Sequence, residues 1–418
     1  MSGRLRARFI VFTAALAVAG AVVPSRAQET EEKAIGGAEQ FLSATGVEPA
    51  IATYGRGGFV IVWTDSEAGD PTNGGIRGAL LPPGALAPRP QFSVNTTTAG
   101  FQNHPAVAAD SAGRFVVVWQ SADAPAPTPG PGNPTVFGQR YGVGGARQGG
   151  EIPLSSPGTE AQFTPKVAMG DNGAFVASWV SLGNGIESIT AARFSANGSP
   201  VGSEIDLPAM GDAGNDGAQV VHYPGGFAVG WNELTVCPFG LGPDNAAVDR
   251  FDNSGRPVGR VYRLIGDVCA ERGFGLAGLA ASRAGALAVF SGPDGYSAQR
   301  FAPSGQPVGG LFPLSDGPFC EGLQCRVVGA MAMDDNGRFA LVWETIVNLG
   351  GSNLTAQLYS AANKPRGGPV PVNLTPSAGP EFPAAALAND GSLEVAWTRV
   401  DSAHADRNGL FVRRLRMP

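Results

Sequence analysis

Apolar residues in this chain gather in short runs that end on an aromatic ring, and the runs recur at near-constant spacing. They are Phe59-Val-Ile-Val-Trp63, Phe115-Val-Val-Val-Trp119, Phe175-Val-Ala-Ser-Trp179, Phe227-Ala-Val-Gly-Trp231, Ala286-Leu-Ala-Val-Phe290, Phe339-Ala-Leu-Val-Trp343 and Leu393-Glu-Val-Ala-Trp397. Their last residues lie 56, 60, 52, 59, 53 and 54 positions apart and include all six tryptophans. Most runs are apolar at odd and even positions alike. A strand with that pattern is buried on both faces, unlike the alternating strand of a sheet with one wet side. A period of about fifty residues marks one supersecondary unit repeated.

Within a unit the apolar run is the second of four predicted strands. Around Trp119, Pro105-Ala-Val-Ala-Ala109 is a strand of small residues, and Asp110-Ser-Ala-Gly113 is a tight turn into the run. Val136 to Tyr141 is the third strand; after a turn at Gly145, Gly150-Glu-Ile-Pro-Leu154 is the fourth. Third strands end on Arg140-Tyr141, Arg193-Phe194, Arg250-Phe251 and Arg300-Phe301, then weaken to Leu358-Tyr359 and Arg414-Leu415. Four residues past the aromatic stand Gly145, Gly198, Gly255 and Gly305, with Asn363 in the sixth unit. Glycine and asparagine tolerate positive φ best, so a hairpin turn is expected there.

Four antiparallel strands with a doubly buried second strand describe a propeller blade, whose two faces are covered by its neighbours. The last unit stops at Leu415 after its third strand. Gly36-Gly-Ala-Glu-Gln-Phe41-Leu42 matches the fourth-strand pattern of Gly149 to Leu154. The expected fold is all-β: a single seven-bladed β-propeller of four-stranded antiparallel blades over residues 34–418. The N-terminal strand completes the last blade and leaves no open edge.

The composite motif Pro-x-Val-Ala, Asp-x-x-Gly, Phe-Val-Val-Val-Trp, Gln-Arg-Phe, Gly-x-Pro-Val-Gly resembles the tandem repeats of β-propeller proteins exported by bacteria. The resemblance covers nearly the whole chain past its first residues. That family is functionally uncharacterised, so the resemblance implies a fold and carries no functional residue over. Units one and five depart most, with Ala79-Leu80 in place of Arg-aromatic and Phe290 in place of tryptophan.

Arg4, Arg6 and Arg8, the apolar stretch Phe9 to Val23 and Ser25-Arg26-Ala27 read as a cleavable export signal over residues 1–27. Residues 28–33 are then a short tail. The apolar stretch is too short and too rich in Ala and Gly for a membrane span. The expectation is a secreted or periplasmic monomer with no membrane span in the mature chain. Signal removal takes four arginines and no acid from the 29 basic and 35 acidic residues, for a net charge of −10. That balance argues against a nucleic-acid partner, which needs a clustered basic face.

Four cysteines, Cys237, Cys269, Cys320 and Cys325, form an even set, and in an exported chain disulfides are the expectation. Three pairings are open, of which Cys237–Cys269 and Cys320–Cys325 are the most economical. No His lies near them and the spacing fits no zinc pattern, so no metal is expected. No motif calls for a cofactor.

Loops between second and third strands, and the links between blades, are long and irregular, whereas the Asp/Gly turns are short and uniform. Binding favours variable loops on a rigid scaffold, which makes the loop-rich face the candidate. Its candidate ligand residues are Gln102, His104, Gln162, Asp216, Glu321 and Glu381 in the links, with Glu233 and Glu344 just past the apolar runs. Amides and carboxylates suit a sugar, a peptide or a cation. Equally, strands leaving a core must turn polar as they meet water.

The leading function is a non-enzymatic binding module for a protein, peptide or glycan. The alternative is an extracellular carbohydrate-active hydrolase or lyase using paired acids of that face. No Gly-x-Ser-x-Gly elbow is present and no catalytic residue is nominated. The recurrent arginines are expected to pack between blades, over an aromatic ring or against a carboxylate.

Overall fold

The computed structural model describes residues 37–416 except 56, 66–74, 86, 123–133, 157–160, 184–185, 208–213, 238–239, 266–273, 293–294, 315–319, 322–323, 348–350, 375–379 and 401–407. The expected signal and tail lie outside the described residues, as does Cys269. In some strands beside the gaps the backbone pairing is described and the side chains are not.

Among the described residues seven antiparallel sheets account for all the regular structure, and no helix occurs. Six sheets have four strands; the sixth blade adds a two-residue fifth strand, Cys320–Glu321. In blade two the order is Gln102–Ala109, Phe115–Ser121, Thr135–Tyr141 and Arg147–Pro153. The first strands of the seven blades are Gly46–Tyr54, Gln102–Ala109, Ala161–Met169, Gly214–Tyr223, Gly275–Ser282, Gln324–Met333 and Pro380–Leu387. Each touches the next and the last returns to the first, so these strands form a closed inner ring. The chain is a seven-bladed β-propeller.

The double burial of the second strands follows from that ring. Val116 and Val118 pack with Phe175, Ala177 and Trp179 of blade three. Phe115, Val117 and Trp119, pointing the other way, pack with Val60 and Val62 of blade one. Alternate side chains of one strand thus serve opposite neighbours, and each fully buried Val or Phe contributes roughly 1.5–3 kcal/mol. Phe290 fills the place of tryptophan in blade five and is fully buried. Trp343 is the exception among the six tryptophans: it is only partly buried, edge-on to Tyr296 at 4.9 Å.

The ring closes as expected. Gln40–Ser43 pairs antiparallel with Asn408–Arg416, the third strand of blade seven. Phe41 meets Phe411 edge to face at 5.5 Å, and the Arg413 guanidinium donates to the Gly37 carbonyl at 2.7 Å.

In blades two to five and in blade seven the recurrent arginine joins its blade to the hairpin turn of the next. Arg140 donates to the Ala196 carbonyl at 2.7 Å, Arg193 to Asn253 at 3.3 Å and Arg250 to Gly305 at 3.0 Å. Arg300 donates to Asn363 Oδ1 at 2.7 Å, and Arg414 to Ala85 at 3.2 Å. Arg250, Arg300 and Arg414 also lie over the Phe301, Phe339 and Phe59 rings of the following blade at 5.0–5.4 Å. Gly198, Gly255 and Gly305 have φ of 86°, 82° and 79°, and Asn363 has 63°. At Gly255 a Cβ would also stand 2.7 Å from the Arg193 guanidinium, so φ demands glycine there and any side chain would push the arginine aside.

Candidate functional site

Each inner strand enters from the loop-rich end of the ring and carries a bulge within its first few residues. The register shifts fall between Val47 and Ala50, Asn103 and Ala106, Phe163 and Lys166, Asp216 and Gln219, Leu276 and Gly278, Val328 and Ala330, and Glu381 and Ala384. In the first three blades the bulge holds a residue at positive φ: Glu48 at 53°, His104 at 51° and Thr164 at 46°. Each precedes a proline, Pro49, Pro105 or Pro165. Proline has no N–H for the ladder, so the strand departs from regular pairing there.

Polar side chains from one blade hold the bulge of the next. The Glu48 carboxylate accepts from the His104 backbone N–H at 3.0 Å and from Thr64 Oγ1 at 2.9 Å. Its other oxygen stands 3.1 Å from His104 Nδ1. Gln120 accepts from the Thr164 N–H at 3.2 Å, and Asn232 from the Leu276 N–H at 2.6 Å. The polar residues that end the apolar runs therefore clip neighbouring blades together. That assigns Gln120 and Asn232 a structural task.

Lys166 follows the third bulge. Its side chain is open to solvent, yet burial among the inner strands holds its ammonium below the usual lysine range, with Glu48 offsetting part of the effect. Access to water while surrounded by protein is the condition of a side chain inside the channel. Glu48, His104 and Lys166 thus form a polar group at the loop-rich end. Of the three, only His104 is among the residues that the sequence nominates.

The other candidate residues occupy varied positions. Gln102 is fully buried: its amide donates to the Ala99 carbonyl at 2.6 Å, and its Oε1 accepts from Asn95 Nδ2 at 3.2 Å. Gln162 is buried and donates to the Ser156 carbonyl at 3.4 Å, while its Oε1 has no partner among the described residues. Glu233 is fully buried beside Arg263, which donates to it at 3.0 Å. Glu344 is half-buried in the second strand of blade six, opposite Leu354. Asp216, Glu321 and Glu381 pair through their backbones with Asn232, Gln324 and Thr398, and their side chains lie outside the described residues. Cys320 faces Cys325 in register; like Cys237, they have side chains outside the described residues. Most of the long loops and links of this end also lie there.

At the opposite end the tight turns surround a cavity of about 1400 Å³, and its lining contains none of the eight candidate residues. Asp110, Asp171, Asp334, Asp335 and Asp390 line it together with Arg283 and His222. These carboxylates are spread over several turns and mostly serve them: Asp110 accepts from the Ala112 and Arg114 N–H groups, and Asp334 from those of Asn336 and Arg338. Arg283 of blade five reaches past blade four to Asp171 of blade three at 2.8 Å. Burial would raise the Asp171 carboxyl, but hydrogen bonds from Ser111 and Arg283 hold it below its usual range. Burial lowers the nearby His222, against a partial opposing pull from Asp171.

Among the described residues no group of three or more His, Cys, Asp or Glu side chains could hold a metal ion, and no helix is long and apolar enough to cross a membrane.

No protein-family model matches the chain, and no curated protein matches it. Solved structures similar to it include a protein of unknown function from Dyadobacter fermentans, 11% identical over 90% of this chain and 98% of that one, with a TM-score of 0.47. A prolyl endopeptidase is 15% identical over 92% of this chain, with a TM-score of 0.46; the match spans 50% of its length. The GH93 α-L-arabinofuranosidase of Fusarium graminearum is 8% identical over 90% of this chain and 94% of that one, with a TM-score of 0.46. Likenesses at this level carry no argument about activity.

Proposed function

We propose that this protein is an exported, monomeric, non-enzymatic binding module that takes a protein, peptide or glycan at the loop-rich end of its channel. The observation that carries this reading is the water-reached polar group of Glu48, His104 and Lys166, held by the bulged inner strands. Rigid strands fix these groups, and in the sequence the connections of this end are long and irregular, the usual division of labour in a binding scaffold. His104 and Glu344, with Asp216, Glu321 and Glu381, supply the contacts. Gln102, Gln162 and Glu233 shape the end from behind. A glycosidase needs two carboxyls free to face each other across a bond. Here Glu48 already meets Thr64 and His104, and Glu233 meets Arg263.

The test is a screen of purified protein on glycan and peptide arrays, followed by affinity measurements on His104→Ala and on Arg283→Ala at the opposite end. The reading expects the first variant to bind roughly tenfold more weakly or worse, and the second to match the parent. Loss in Arg283→Ala alone would move the ligand to the turn-lined cavity. Release of sugar from a bound polysaccharide would replace this reading with that of a hydrolase.

A further inference from the structure

One position in each blade is the first residue past the inner-strand bulge: Ala50, Ala106, Lys166, Gln219, Gly278, Ala330 and Ala384. The register with the second strand makes them equivalent, opposite Val62, Val118, Ser178, Gly230, Val289, Val342 and Ala396 in turn. Six of the seven are small or uncharged. Lys166 is the sole ionisable residue at that level, and its long side chain stands where four other blades have a methyl group.

The structure gives Lys166 no hydrogen bond or ion pair among the described residues, and the one charge acting on it is that of Glu48, two blades away. Glu48 is itself held by Thr64 and His104. Its side chain is open to solvent, so the ammonium keeps its water but has no protein partner among the described residues. Such an uncompensated departure from an otherwise uniform pattern is expected at a functional position.

We propose that Lys166 is an anion site inside the channel that takes a small organic carboxylate entering from the loop-rich end. A single ammonium suits a single negative charge, and the Glu48 carboxylate nearby disfavours a dianion such as phosphate. Carboxylate oxygens accept the short charge-assisted bonds that a lysine has to offer. This inference rests on the loop-rich end being the entrance for ligand.

The chain has three lysines, Lys33, Lys166 and Lys364. Methylation of the amines with ¹³C, which keeps their charge, therefore gives three lysine NMR signals beside that of the α-amine, and Lys166→Arg identifies the one that matters. Titration with sodium acetate should shift the Lys166 signal saturably and leave Lys364 in place. Acetamide, of similar shape but neutral, should do nothing, and chloride at equal ionic strength much less. A Lys166 signal that ignores acetate, or follows chloride equally, overturns the proposal. If the arrays yield a carboxylate-bearing ligand, Lys166→Met should bind it roughly tenfold more weakly or worse. Equal affinity would sink this inference while leaving the loop-end reading standing. An acetate response without any array ligand would support the channel site and count against the larger reading.

Discussion

The Glu39 carboxylate accepts a hydrogen bond from Arg399 at 3.0 Å and so joins residues 360 positions apart. Glu39 also takes the backbone N–H of Leu374, in the link from blade six to blade seven. Glu151 does the same service in blade two, accepting from the N–H and hydroxyl groups of Thr96 and Thr97 in the link before it. Glu204 of blade three accepts from the Ser156 N–H at 2.7 Å. The strand contributed by the front of the chain is therefore chemically a fourth strand, down to the acid that ties its blade to the preceding link.

Glu39→Ala should cost about 1.5–3 kcal/mol, the range for a hydrogen bond to a charged group that is largely shielded from water. Deleting residues 37–43 should cost more and leave the edge of Asn408–Arg416 unpaired, which invites association between chains. Chemical denaturation and light scattering measure the two effects. A truncated chain as stable as the parent and no more associated would refute the closure role.

Trp119→Ala should lose roughly 3–5 kcal/mol, since the ring is almost wholly buried between blades one and two. Trp231→Phe should cost far less. The Trp231 indole N–H is buried without an acceptor among the described residues, so phenylalanine removes an unsatisfied donor along with some volume. Blade five already carries Phe290 at this place. Urea midpoints of the two variants give the comparison.

Glu394 stands in the second strand of blade seven where other blades have an apolar residue, and Arg414 donates to it at 2.8 Å. Burial pushes its carboxyl up to about 7, against the pull of Arg414. The folded state thus holds this proton more tightly than the unfolded chain, whose ordinary value is 4.5. The resulting stability is complete below that lower value and disappears as pH climbs through the upper one. Glu394→Gln mimics the protonated acid, so its melting temperature relative to the parent should rise between those limits and level off above them. A constant difference across that window would contradict the burial of an ionisable acid there.

Arg250 is nearly buried, donates to the Gly305, Val248 and Val258 carbonyls and lies over Phe301. Arg250→Met keeps most of the volume but strands those carbonyls, at a cost of roughly 2–4 kcal/mol. Arg250→Lys should recover only part, because a point charge cannot reproduce the planar fork. Thermal melts of both variants test the order.

The fold could be read from the chain because each of its rules is local. Residues Phe115 to Trp119 declare a strand buried on both sides, Gly198 and Gly255 declare positive φ, and the match of Gly36–Leu42 to Gly149–Leu154 declares closure. The candidate site was legible only in part. His104 stood out as a histidine in a link, but nothing in its neighbourhood named Glu48 as its partner.

The order of strands, the number of blades and the way the ring shuts were determined by the sequence itself, through period, turn chemistry and the missing fourth strand of the last unit. Tertiary structure alone decided which residues share the channel: Glu48 with His104, Lys166 among alanines, Arg283 across to Asp171. The physical reason lies in the bulges and the ring. A bulge shifts every side chain before it to a new facing, and curvature brings together positions that no linear pattern puts in register.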